Sequence, residues 1–157
     1  MTTPWYAGQR VLAADLNTAT QQGAWTAYTP VWTGASSNPG GTYTIEGYYA
    51  KVGRLVTARV SLLMATGTTL GSGAWMFSLP VAAALTSAAD MHAGAVAANN
   101  SGVAFYAGAA VIGLKLSSTT VELLSQGGGS AWGATVPAAW TVNGSWLGFT
   151  VSYESTS

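Results

Sequence analysis

The sequence has no cysteine, one histidine, five basic and five acidic side chains in 157 residues. Without cysteine it forms neither disulfide staples nor thiolate metal sites, and the redox state of its compartment leaves no trace in it. A single histidine, His92, argues against a zinc site built within one chain. Five cations balanced by five anions give no concentrated phosphate-neutralising patch, so nucleic acid is not expected as a partner. A charged fraction of 6%, against roughly 25% in an ordinary domain, raises the question of a membrane protein. The longest uncharged runs, 60–89 and 123–153, do not support one. Gly67, Gly71, Gly73 and Pro80 break the first; Gly127 to Gly129, Pro137 and Gly144 break the second. Neither offers the ~20 continuous apolar residues of a spanning helix. The opening MTTPWYAGQR has no basic and then apolar region, so no secretory signal is expected, and the sequons at Asn99 and Asn143 are read as chance.

What is present is aromatic: seven Trp and seven Tyr, in a chain 49% hydrophobic. That is too much apolar surface for a disordered chain. With charge so scarce, the exposed surface must be built from Thr, Ser, Asn, Gln, Gly and Ala. At zero net charge such surfaces repel their own copies little, which points to cover by partners, most simply by identical subunits.

Two regions are distinguished. Residues 1–24 read as an N-terminal arm: an extended opening with Pro4, Trp5 and Tyr6, then a short helix over 11–22 stopped by Gly23. So short a helix is marginal alone and needs a surface to dock on, either its own domain or a partner. Residues 25–157 read as an all-β domain. Val56, Ala58, Val60, Leu62 and Met64 alternate with Leu55, Thr57, Arg59, Ser61 and Leu63, and Val52-Gly53 is the expected two-residue turn joining strands over 42–51 and 54–64. Further strands are expected near 74–79, 91–97, 103–116, 120–125 and 146–153, with 81–89 as a loop crossing between sheets. About eight short strands predict an antiparallel β-sandwich, jelly-roll-like.

Chemistry-bearing groups are few. Asp90 and His92, two apart on a strand, are the sole acid–histidine pair, but no Gly-x-Ser-x-Gly accompanies them, and a polar strand start is the default. The carboxylates Asp15, Glu46, Asp90, Glu122 and Glu154 are scattered singly, unlike a calcium loop or a glycosidase pair. Gly127-Gly128-Gly129-Ser130 lacks the lysine of a phosphate loop and reads as a loop tip. Lys51, Arg54 and Arg59 cluster on the first hairpin, either as an anion-binding patch or, preferably, as protection of an edge strand. Trp25, Trp32, Trp75, Trp140 and Trp146 are expected in the core or an interface, whereas Trp132, beside the Gly-rich loop, is expected exposed and available to stack on a glycan. No catalytic, cofactor-binding or metal-ligating residue is assigned, and no enzyme activity is expected.

The segments Trp25-Thr26-x-Tyr28-Thr29-Pro30-x-Trp32-Thr33-Gly34, Gly47-Tyr48-Tyr49-x-Lys51-Val52-Gly53, Gly71-Ser72-Gly73-x-Trp75-x-Phe77-Ser78-Leu79-Pro80 and Tyr153-Glu154 resemble a module of tailed-bacteriophage virion proteins. Those proteins are described as minor tail, tail-fibre or structural proteins. Ala7-Gly8-Gln9-x-Val11-Leu12-x-Ala14-Asp15-Leu16-Asn17 resembles the opening that precedes the module. Where such modules often carry Gly-Asp before the last strand, this chain has Val142-Asn143-Gly144-Ser145. The resemblance implies a homotrimeric β-sandwich on the virion surface, made in the host cytoplasm and held by its N-terminal arm. It brings no catalytic residues, no cofactor and no nucleic-acid or membrane partner. No heptad or collagen-like stalk is present, so a capsid decoration protein is expected, with Pro4, Trp5, Tyr6, Val11, Leu12 and Leu16 as anchoring side chains. The alternative is a tail-tip or tail-fibre receptor-binding protein that adheres to host glycan.

Overall fold

The computed structural model describes residues 23–87, 89–114, 117–126 and 129–156. Residues 1–22, and with them the expected helix and all six anchoring side chains, lie outside the described residues. Nine strands occur among the described residues: β1 Thr26–Tyr28, β2 Trp32–Gly34, β3 Tyr43–Val52, β4 Leu55–Met64, β5 Trp75–Ser78, β6 His92–Asn100, β7 Ala104–Ile112, β8 Thr120–Ser125 and β9 Trp146–Glu154. The all-β, antiparallel expectation holds. Every strand pairing is antiparallel, and all nine strands form one continuous sheet in the order β1-β3-β4-β9-β6-β7-β8-β5-β2.

β4 shows why these residues become strands. Val56, Ala58, Val60, Leu62 and Met64 are at most 3% exposed, while Leu55 and Leu63 on the other face are half exposed or more. The period-two pattern therefore divides inside from outside over ten residues. The hairpin turn falls one residue later than expected. Val52 pairs with Leu55, so the turn is Gly53-Arg54, with the positive φ of 59° at its first central residue, as a type II′ turn requires.

The sheet curls into a half-barrel, and rings meet across its concave face. Phe77 of β5 packs on Phe149 of β9 at 5.3 Å between centroids, and Trp32 of β2 on Tyr43 of β3 at 5.3 Å. Trp32, Trp75, Trp140 and Trp132 continue as a chain of ring contacts at 5.1, 5.4 and 6.0 Å. The two edge strands, β1 and β2, are joined by Thr29–Val31 alone, a connection that reaches no more than about 14 Å. The end of β1 therefore lies within that distance of the start of β2, at a seam. Val31 N–H donates to Ser78 Oγ at 2.9 Å and Ser78 N–H to Val31 O at 3.0 Å, tying the seam to β5. Over the seam, a Cβ at Gly47 would sit 2.5 Å from Tyr28 Cε1 and 2.6 Å from Pro30 Cγ, so only glycine fits.

Residues 81–87 form a loop, as expected, but with one continuous sheet they do not cross between two, and they run along the end of β9. Ala84 N–H donates to Glu154 O at 2.7 Å, and Tyr153 O–H to Val81 O at 2.8 Å. At the opposite end, the buried Asn100 pins residues 139–145: its Nδ2 donates to Ala139 O at 2.9 Å, and its Oδ1 accepts from Thr141 N–H at 2.7 Å. Ser145 Oγ adds bonds to Asn100 Oδ1 and Thr141 O.

Candidate functional site: an outward groove across five strands

The residues singled out from the sequence do not gather into one site. Asp90 accepts hydrogen bonds from Thr86 N–H at 3.0 Å and Thr86 Oγ1 at 3.1 Å, and these bonds hold its carboxyl below the usual carboxylate range. His92 lies against Tyr153, centroids 6.3 Å apart, with a buried Nε2 that has no hydrogen-bond partner. Asp90 thus caps a loop, with His92 adding to the lowering of its carboxyl, and the imidazole packs on Tyr153.

The exposure expected of Trp132 is wrong: the residue is fully buried. The chain doubles back after the Gly-rich loop into a bridge between Leu124 and Ala131, and this draws the indole beneath Trp140. Trp132 N–H donates to Leu123 O at 2.7 Å and Trp132 O accepts from Trp75 N–H at 2.8 Å, so its backbone extends the ladder. It has no face to offer a glycan. Of the other tryptophans, Trp32 and Trp75 are core as expected and Trp140 is partly buried, but Trp25 and Trp146 are 50% and 40% exposed on the outside.

The basic cluster is divided: Arg59 lies on β4, which is paired on both sides, whereas β1 covers β3 only at Gly47–Tyr49 and leaves Lys51 on the uncovered part of that strand. Arg54 meets Glu154 at 3.0 Å and donates from Nε to Ser155 O at 3.0 Å. Arg59 lies between two rings, with Cζ 4.9 Å from the centroid of Trp25 and 4.9 Å from that of Tyr48. Such cation–π contacts are worth about 0.5–1 kcal/mol each at an exposed site.

What the outward side chains do form is a groove. Strand register aligns three rows across β3, β4, β9, β6 and β7: Thr44–Leu63–Trp146–Asn99–Phe105, then Glu46–Ser61–Gly148–Ala97–Ala107, then Tyr48–Arg59–Thr150–Ala95–Ala109. Ser61, Gly148, Ala97 and Ala107 of the middle row, with Ala95 beside them, are small and form the floor of a depression of about 710 Å³, lined further by Glu46, Tyr48, Arg59, Gln126 and Thr150. An adjoining depression of about 400 Å³ reaches Leu63 and Trp146 and shares Glu46, Ser61 and Gly148 with the first. At that end, Phe105 is 76% exposed, Val103 69% and Leu63 50%. Phe105 is braced edge-on by Trp146, centroids 6.2 Å apart. The charged residues lining the larger depression are Glu46 and Arg59, of opposite sign.

Sequence reasoning missed this groove. Its signal was the run of Ala and Gly in β6 and β7, HAGAVAANN and AFYAGAAVI, in a chain where β4 carries leucines on its outer face. Chemically the arrangement favours binding through shape and apolar contact. Glu46 is the single carboxylate lining it, and among the described residues no three His, Cys, Asp or Glu side chains group as a metal site. Comparisons with protein-family models, with curated proteins and with solved structures find no match to this chain.

Proposed function

We propose that the chain is a non-enzymatic structural protein of a virion surface, a homotrimeric capsid decoration protein attached through residues 1–24. The single observation that carries this reading is the outward groove with its exposed Phe105, Val103, Leu63 and Trp146. Contiguous apolar relief of this kind, on a chain with so little charge, suits a protein that works by being covered. The resemblance of the Trp25–Pro80 segments to phage virion modules supplies the setting, and the half-barrel, with β5 packed face to face on β9, is taken as its jelly-roll-like sandwich. Removal of residues 1–24 is expected to leave a folded trimer that no longer sediments with particles. Retained attachment of the truncated protein would refute the anchoring role of the arm.

A second reading, a tail-tip or tail-fibre protein that adheres to host glycan, is favoured by the same aromatic rim. Trp146 and Phe105 replace Trp132 as the rings able to stack on a sugar. This reading expects purified protein to bind host cells or cell-wall glycan, and Trp146→Ala to lose that binding.

A further inference from the structure

We propose that the outward groove is the seat of a second copy of this chain, and that Phe105 and Val103 of one copy fill the small-residue floor of the next. The inference rests on the reading of the protein as self-associating and names the surface and side chains by which it does so.

Shape comes first. β6 and β7 turn through Ser101–Val103, and the hairpin presents the two most exposed large apolar side chains among the described residues, Phe105 and Val103. The Phe105 ring meets Trp146 edge-on, centroids 6.2 Å apart, which supports it on one side. An aromatic anchor with two torsions, already braced, loses little freedom on docking. Beside it lies a floor of Ala95, Ala97, Ala107 and Gly148 with about 710 Å³ above it. A cavity of roughly 150 Å³ suffices for one benzene ring, so the groove has room for several side chains.

Charge and size agree with the same occupant. The hairpin segment Ser101–Phe105 carries no charge, and the two charged residues lining the groove, Glu46 and Arg59, are of opposite sign. The net charge of zero leaves two copies without a repulsive field. Five strands of nine or ten residues give a face about 19 Å by 30 Å, on the order of 600 Å² before side-chain relief is added. A stable partner covers roughly 800 Å² per side. The lining also holds hydrogen-bonding groups, Glu46, Arg59, Ser61, Gln126 and Thr150, so a saccharide is the competing occupant that the test separates. Because knob and groove belong to the same chain, each copy that gives a knob also offers a groove, and a threefold rotation between copies closes such contacts into a ring without a third component.

The test uses the full chain at about 10 μM, near the middle of common affinities, with mass read by light scattering and native mass spectrometry. Phe105→Asp removes the knob, and Ala97→Trp fills the groove; both sites face solvent, and near-UV circular dichroism checks that each variant keeps its fold. The wild type is expected as a trimer and each variant as a monomer, with self-association weakened about thirtyfold or more, as for loss of an aromatic hot spot. Mixed together, the variants should form a one-to-one heterodimer, because the intact knob of Ala97→Trp still meets the intact groove of Phe105→Asp. A wild-type trimer whose mass survives both substitutions would overturn the groove as the contact and leave the trimer standing. A wild type that stays monomeric would overturn both, and glycan binding abolished by Ala97→Trp would then give the groove to a saccharide.

Discussion

At the scale of the residue, position decided what type alone could not. Trp132 was expected outside because it follows a Gly-rich loop, yet the bridge of Ala131 to Leu124 carries it to full burial. Nothing local in the sequence announces that return, since it depends on β8 lying beside the loop. Tyr153 is the residue whose burial has the clearest measurable consequence. It is 1% exposed, and burial pushes its phenol up to about 12 from 10, with the charge of Tyr49 adding to the rise and the bond to Val81 opposing it. Below pH 10 the phenol is neutral in both folded and unfolded chains, and its contribution is fully present. Between pH 10 and 12 the unfolded chain loses the proton first, so stability falls as pH rises, by about 1–2 kcal/mol per unit. Tyr28 is raised as well, by burial and then by Tyr153, and steepens the same loss. Urea midpoints at pH 9 and pH 11 should differ accordingly, and Tyr153→Phe should flatten the dependence; an unchanged slope in that variant would contradict the assignment.

At the scale of the element, β4 was legible almost to the residue because ten alternating positions leave no other period. β8 was legible from the Gly- and Ser-rich breaks around it rather than from a period, since Val121, Glu122 and Leu123 are all buried, and its expected and observed bounds are identical. β1 and β2 were not, because three residues on either side of Pro30 cannot display a period. The turn after β3 was displaced because its glycine serves as the first central residue, and only the register shows that Val52 still belongs to the strand. Adjacent leucines of β4 give a direct check of the two faces. Leu62→Ala should cost about 2–5 kcal/mol in chemical denaturation, whereas Leu63→Thr, one residue along but outward, should stay within about 0.5 kcal/mol in the monomer. Equal effects would mean that the face assignment is wrong.

At the scale of the whole molecule, counting strands led to the right class, but the sheet order could not be read from the sequence. β9 pairs with β4 and β6, partners far away in sequence, and no local pattern encodes a pairing of that separation. The groove inherits this illegibility, for its rows exist only once β3, β4, β9, β6 and β7 are side by side. The seam between β1 and β2 depends on the absent Cβ of Gly47. Gly47→Ala should therefore force Tyr28 and Pro30 away and cost about 1–3 kcal/mol, read as a lower urea midpoint. The order of the strands also bears on the timing of synthesis. The strand made last among the nine, β9, is the one that joins β1-β3-β4 to the other five. Until residue 154 has left the ribosome, a nascent chain holds two part-sheets, each with an unpaired inner edge. Completion of the fold must wait for translation to pass this point, and the bare edges of β4 and β6 are where a chaperone would be needed in the interval.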